Sequence, residues 1–177
     1  LLHPKFVKNH LHYARERIIL TGRRVNLSSR VSEKLNIKLI NEGYLQFVIL
    51  LDLLKDLPAK KVRDLEQGFY VGNSKFGGWL NRKDKGVLGS NFSLYKKDIL
   101  EVNGFDERFT EPAAGEDTDI EARLRRLGMK VHTVRNRAIQ YHIYHKELPR
   151  KNERLIFLEE NNANQVTYTP FGIIKDQ

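Results

Sequence analysis

The segment from Glu116 to Gly128 constrains the fold most. Glu116, Asp117 and Asp119 open it, and Arg123, Arg125 and Arg126 close it. That order complements a helix dipole, which favours negative side chains at its start and positive ones at its end. Ile120, Leu124 and Leu127 recur at the spacing of one helical stripe. Gly128 is the residue type that ends helices in the left-handed conformation. The pattern predicts an amphipathic helix over 116–127. Runs rich in β-branched and apolar residues follow at 130–134 and 138–144 and predict strands. Helices interspersed with short strands give an α/β fold.

The stripe also ranks the acids. Asp117 stands three residues before Ile120, on the stripe itself, so it is predicted to point inward from the helix start. Glu116 lies about a quarter-turn away, and Asp119 further towards solvent. An acid facing the core needs a reason, and a general base at the mouth of a cleft is one. The alternative is that all three acids only complement the dipole.

Elsewhere, residues 3–16 read as a helix with Pro4 near its first turn, 17–20 as a strand and 22–28 as a polar exit. Ser29 or Ser32 is expected to cap a helix through Ile40, and a further helix spans 42–57 before Pro58. A strand is expected at 88–95, a short helix at 96–101, a turn at Asn103-Gly104 and a last helix at 152–162. The tail after Gln165 carries no assignable element.

Six of the twelve glycines fall between 68 and 89, among Phe69, Tyr70, Phe76 and Trp79. Glycines free the backbone and aromatic faces suit pyranose rings. The segment reads either as a mobile loop closing over a sugar, with Trp79 against it, or as a long loop anchored by its aromatics. Gly89-Ser90-Asn91 opens the next strand; Gly89 admits close backbone approach, and Asn91 can read hydroxyls as donor and acceptor. His142 and His145 are candidate metal ligands. They would face opposite sides of a continuing strand, so both can hold one ion only if the chain turns between them.

Net charge is +9 with a pI near 9.7. The cations are interleaved, with clusters at Arg23, Arg24, Arg30, Lys34 and Lys38 and at Lys146, Arg150, Lys151 and Arg154. They form either a solvated basic surface or, as the more specific partner, a peripheral contact with an anionic membrane. No nucleic-acid-binding motif accompanies the charge, so nucleic acid is not an expected partner. Cysteine is absent, which removes disulfides and thiolate chemistry and fits a cytoplasmic setting. The first residue is Leu1, so the chain is expected to begin inside a longer gene product.

The ordered set Gly89-Ser90-Asn91-Phe92-Ser93, Asn103-Gly104-Phe105-Asp106-Glu107, Gly115-Glu116-Asp117-Thr118-Asp119 and Arg123-Leu124 resembles the C-terminal half of GT-A fold glycosyltransferases. Glycosyltransferase family two and the C-terminal domain of β-1,4-galactosyltransferases are the groups it is most similar to, over roughly residues 86–146. The resemblance implies an inverting transfer from a nucleotide-sugar donor to a carbohydrate acceptor, in polysaccharide biosynthesis. It implies Asp117 as base and Glu116 orienting acceptor hydroxyls, with Gly89, Asn91 and Asp119 at the substrate; Trp79 is expected there as an aromatic face. It implies Mn²⁺ or Mg²⁺ bound by His145, with His142 replacing a family Met. The family's Trp-Gly before the Glu-Asp pair is replaced by Pro112-Ala113-Ala114-Gly115. The strand-end Asp-x-Asp motif with which the family holds the metal against the diphosphate, and its nucleotide-binding half, are not in these residues. The chain therefore reads as a partial domain, inactive alone. It comprises a helical region at 1–67, the Gly/aromatic loop at 68–89, the acceptor and catalytic core at 86–146, and a C-terminal helix and tail at 147–177. A non-catalytic module binding carbohydrate or an anionic surface is the alternative. A glycoside hydrolase fits less well, because its two carboxylates flank the sugar whereas Glu116 and Asp117 are adjacent.

Overall fold

A computed structural model describes residues 1–58, 62–110, 115–146 and 155–175. In chain order these hold α1 (Phe6–Tyr13), β1 (Ile18–Thr21), β2 (Arg23–Asn26), α2 (Ser29–Lys34), α3 (Ile37–Asn41) and α4 (Val48–Leu54). A 3₁₀ turn (Leu65–Gly68) follows, then α5 (Lys75–Leu80), β3 (Phe92–Ser93), α6 (Lys96–Glu101), α7 (Glu116–Arg126), β4 (Lys130–Thr133), β5 (Ile139–His142) and α8 (Leu155–Ala163). The result is a mixed α/β chain with small sheets and flanking helices. It divides into two compact units, each with its own core.

The first unit comprises Leu1–Tyr13, Gly22–Lys83 and Thr133–Lys146. β2 and β5 run parallel in it, with Val25 opposite Tyr141 and Asn26 opposite His142. Val25, Ile139 and Tyr141 are buried, whereas Arg24, Asn26, Gln140 and His142 keep partial exposure. β2 replaces the polar exit expected at 22–28. Its arginines hide the strand pattern, and its ladder partner lies more than a hundred residues away. Parallel pairing of this kind is visible only after the crossover has folded.

The helical region is more broken than its sequence suggests. The helix expected to run unbroken through Ile40 is two helices. The Ser28 hydroxyl, not Ser29 or Ser32, accepts from the Val31 N–H at the first. The Asn36 carbonyl oxygen accepts from the Leu39 N–H at the second. A capping side chain competes with helix continuation, and Leu35 takes the extended conformation between them. α4 starts at Val48 rather than at 42, because Gly43 turns the chain at φ +85. Gly68 has a packing reason to be glycine: a Cβ there would lie 2.5 Å from Leu50 Cδ2.

Arg30 and Lys34 do not form an open basic patch. The Arg30 guanidinium donates to both Asp56 oxygens at 2.9 Å, and the Lys34 ammonium pairs with Asp52. Asp52 also accepts from the Tyr44 hydroxyl at 2.5 Å. Burial pushes the Asp52 carboxyl up, but hydrogen bonds from Lys34, Tyr44 and Lys55 outweigh it and hold the group well below its ordinary range. Two of the five cations in the upstream cluster are thus neutralised internally.

The second unit comprises Ala14–Thr21, Asp84–His132 and Glu147–Gln177. Its sheet has the order β3-β1-β4, with β3 antiparallel to β1. Ile120 and Leu124 of α7 pack with Ile19, Val102 and Met129. Each such fully buried side chain contributes roughly 1.5–3 kcal/mol. Asn103 and Gly104 both adopt positive φ, as the turn signal requires, and Gly128 ends α7 at φ +83. The strand expected at 88–95 shrinks to two residues, since 88–91 turn instead: the Asn91 N–H donates to the Leu88 carbonyl at 2.8 Å.

Candidate active site

Asp117 sits in the first turn of α7, half-exposed rather than buried. Its Oδ2 accepts from the Gly89 N–H at 3.1 Å and its Oδ1 from the Thr118 N–H at 2.9 Å. A carboxylate has about four lone-pair sites, so two neutral donors fix the group and leave it free to accept a proton. Gly89 is where glycine is needed, because a Cβ there would lie 3.0 Å from the Asp117 Cβ. Two residues singled out separately in the sequence thus meet.

The segment carrying Gly89 is held by residues that sequence reasoning missed. The Val87 N–H donates to Glu121 Oε2 at 2.5 Å, and the Leu88 N–H to the Thr21 hydroxyl at 3.1 Å. Arg125 pairs with Glu121 at 2.7 Å and with Asp84. The four-residue spacing of Glu121 and Arg125 was readable as a helix-surface pair; its hold on residues 84–87 was not.

The acid facing the core is Asp119, and this reverses the expected order. Asp119 is 1% exposed and Arg123 is fully buried. The Arg123 Nε donates to Asp119 Oδ2 at 2.8 Å, and its Nη1 to the Val102 and Gly104 carbonyls at 2.8 and 2.9 Å. Asn161 donates to the other Asp119 oxygen at 2.8 Å. Both oxygens are taken, so the carboxylate joins α7 to α8 rather than presenting itself to a substrate. Apolar residues alone leave Asp119 outside the stripe. A buried ion pair extends the inward arc without adding to hydrophobic periodicity. Glu116 differs again: its Oε2 is buried without a hydrogen-bond partner among the described residues.

Asn91 is 1% exposed. The neighbouring turn is organised by Asn103, whose amide donates to the Thr169 and Ile174 carbonyls at 2.7 and 2.9 Å. Its oxygen accepts from the Ile174 N–H at 2.7 Å. The tail that had no assignable element is therefore docked, and the Asn103 side chain makes three of the hydrogen bonds that hold it. Asp106 holds Arg108 through both oxygens, and Arg108 lies 4.6 and 4.3 Å from the ring centres of Phe157 and Phe171.

Trp79, His142 and His145 belong to the first unit. Trp79 lies on α5, so the Gly/aromatic segment is not a loop throughout. Ser74 caps α5, and the Phe76 and Trp79 rings stack at 5.9 Å with 58% and 59% of each residue exposed. β5 ends at His142, the chain turns, and the two imidazoles meet Nε2 to Nε2 at 2.9 Å. The two imidazoles are thus hydrogen-bonded to each other, which brings both ring nitrogens to one place beyond the end of β5. No group of three or more His, Cys, Asp or Glu suited to a metal occurs among the described residues. Burial lowers the His142 pKa, and the charges of Arg24, His145 and Arg63 lower it further. Leu1 and Leu2 pair antiparallel with Tyr141 and Gln140.

Pro112, Ala113 and Ala114, and the cluster at Arg150, Lys151 and Arg154, lie outside the described residues. No helix among the described residues is long and apolar enough to cross a membrane.

Residues 68–146 match the model of a family described as the N-terminal domain of galactosyltransferase. No curated protein and no solved structure matches the chain. The match spans the glycine/aromatic segment, Gly89, the first turn of α7 and both histidines. It supports a glycosyltransferase-family domain within this chain, and with it a general role in glycosyl transfer between a nucleotide-sugar donor and a carbohydrate acceptor.

Proposed function

We propose that this chain is the acceptor-side, C-terminal half of an inverting GT-A glycosyltransferase acting in polysaccharide biosynthesis, with Asp117 as its base. The observation that carries the reading is the Asp117 carboxylate, fixed by the Gly89 and Thr118 N–H groups and still half-exposed. The attacking acceptor hydroxyl gives its proton to an Asp117 oxygen as its own oxygen bonds to the anomeric carbon and the diphosphate leaves. Glu116, beside Asp117 in the first turn of α7, orients an acceptor hydroxyl. Gly89 keeps the space beside Asp117 open, and Asn91 shapes the turn that presents Gly89. Asp119 supports the helix from beneath.

His145 and His142 would hold Mn²⁺ or Mg²⁺, which when bound neutralises the departing diphosphate. Trp79, stacked with Phe76, offers a face to a sugar ring. The test is transfer by the intact enzyme from a panel of nucleotide-sugar donors, read as nucleoside diphosphate release. Wild type turns over, Asp117→Asn does not, and donor affinity is kept. Equal turnover by Asp117→Asn removes the base assignment. The 177 residues alone are expected to bind donor weakly and transfer nothing. The exposed Phe76–Trp79 pair also favours a second reading, a carbohydrate-binding module without catalysis. Sugar binding lost in Trp79→Ala, with no transfer by any form of the protein, would select it.

A further inference from the structure

The exposed face of β2 and β5 has a composition the metal alone does not explain. In parallel register, Arg24 lies opposite Gln140 and Asn26 opposite His142. Val25 and Tyr141, between them, point into the core, so Arg24, Asn26, Gln140 and His142 share the outer face. Arg63 bridges Asn26 on its other side, and paired residues project to the same face. Both strands end together, at Asn26 and His142. Ligands of parallel α/β sheets bind outside the carboxyl ends of strands. Arg24 and Arg63 both act electrostatically on His142, and the His145 ring is 2.9 Å from it. The carboxylate beside this face, Asp64, accepts from the Asn26 amide at 2.8 Å. Two arginines on the same sheet face as a histidine pair suit a multiply charged oxyanion, which Arg binds with its planar fork.

We propose that Arg24 and Arg63, with His142, form a subsite for the diphosphate of the nucleotide donor at the carboxyl ends of β2 and β5. The inference rests on the transferase reading but assigns phosphate recognition to the protein's own cations, independent of a metal. The 177-residue chain in EDTA, titrated calorimetrically with inorganic pyrophosphate, tests it. Wild type is expected to bind, more weakly as salt rises. Arg24→Gln and Arg63→Gln should each weaken binding about tenfold or more, and Arg24→Lys less. Circular dichroism confirms the fold of each variant, and Arg63, on the surface, tolerates substitution even if Arg24→Gln unfolds. No binding by wild type, or unchanged binding in the folded Gln variants, overturns the subsite. Phosphatidylglycerol vesicles separate the other phosphate source: vesicle binding that depends on Arg24 without pyrophosphate binding also overturns it. If pyrophosphate binds through Arg24 but the intact enzyme transfers no sugar, the subsite stands and the transferase reading falls. If transfer proceeds with an unchanged donor KM in Arg24→Gln, the subsite falls and the transferase stands.

Discussion

The Gly89 N–H donates to Asp117 Oδ2 at 3.1 Å, across a space that a single added methyl group would fill. The two residues belong to segments twenty-eight positions apart. General-base catalysis is worth typically 10²–10⁴-fold. Asp117→Asn in the intact enzyme should lose about that much in kcat with little change in donor KM. Gly89→Ala should also lower kcat, because the Asp117 side chain must give way, while thermal unfolding shifts by only a few degrees. Steady-state kinetics with a fixed acceptor reads both.

Asp119 and Arg123 make the opposite prediction. Removing one partner of a buried ion pair leaves an uncompensated charge and costs about 3–5 kcal/mol. Asp119→Ala and Arg123→Ala should each destabilise the chain by that order in urea unfolding. A loss of acceptor affinity by Asp119→Ala with stability unchanged would restore Asp119 to the substrate and remove it from the support of α7.

Asp52 should set part of the acid stability. Its carboxyl is held below the ordinary value of 3.8 in the folded chain, burial being outweighed by Lys34, Tyr44 and Lys55. A depressed carboxylate contributes stability that is complete above the unfolded value and is lost as pH falls through the folded one. Urea unfolding from neutral pH down to about pH 3 should show wild-type stability falling at the acid end. Asp52→Asn should be less stable at neutral pH and flatter across that limb.

Asn103 holds the tail through three hydrogen bonds and occupies φ +61. Asn103→Ala removes all three and leaves a left-handed backbone without a residue that favours it. A cost of roughly 2–4 kcal/mol is expected. Asn103→Gly relieves the backbone but not the bonds, and should fall between. Hydrogen exchange at the Ile174 amide should accelerate in both variants.

The histidine pair should bind Mn²⁺ only as a pair. His142→Ala and His145→Ala should each remove Mn²⁺ binding seen by electron paramagnetic resonance in the intact enzyme. Retention of full affinity in either would show that its imidazole is not a ligand.

What was legible in the sequence was local. The bounds of α6, the turn at Asn103-Gly104, and the start and stop of α7 follow from caps, dipole order and glycine placement within a few residues, and all three are present. The Gly89 motif and Asp117 were both singled out, as separate pieces of one ordered set with no contact between them implied. Tertiary structure alone decided which acid is buried, because Asp119 pairs with Arg123, whose guanidinium is held by the Val102 and Gly104 carbonyls, and accepts from Asn161, groups brought from elsewhere in the chain. It alone decided that Arg23–Asn26 is a strand, since the ladder partner of β2 is supplied by β5. It also decided that Gly89 and Asp117 touch. Local propensity is a property of neighbouring residues, whereas burial and hydrogen-bond satisfaction depend on what the rest of the chain brings alongside.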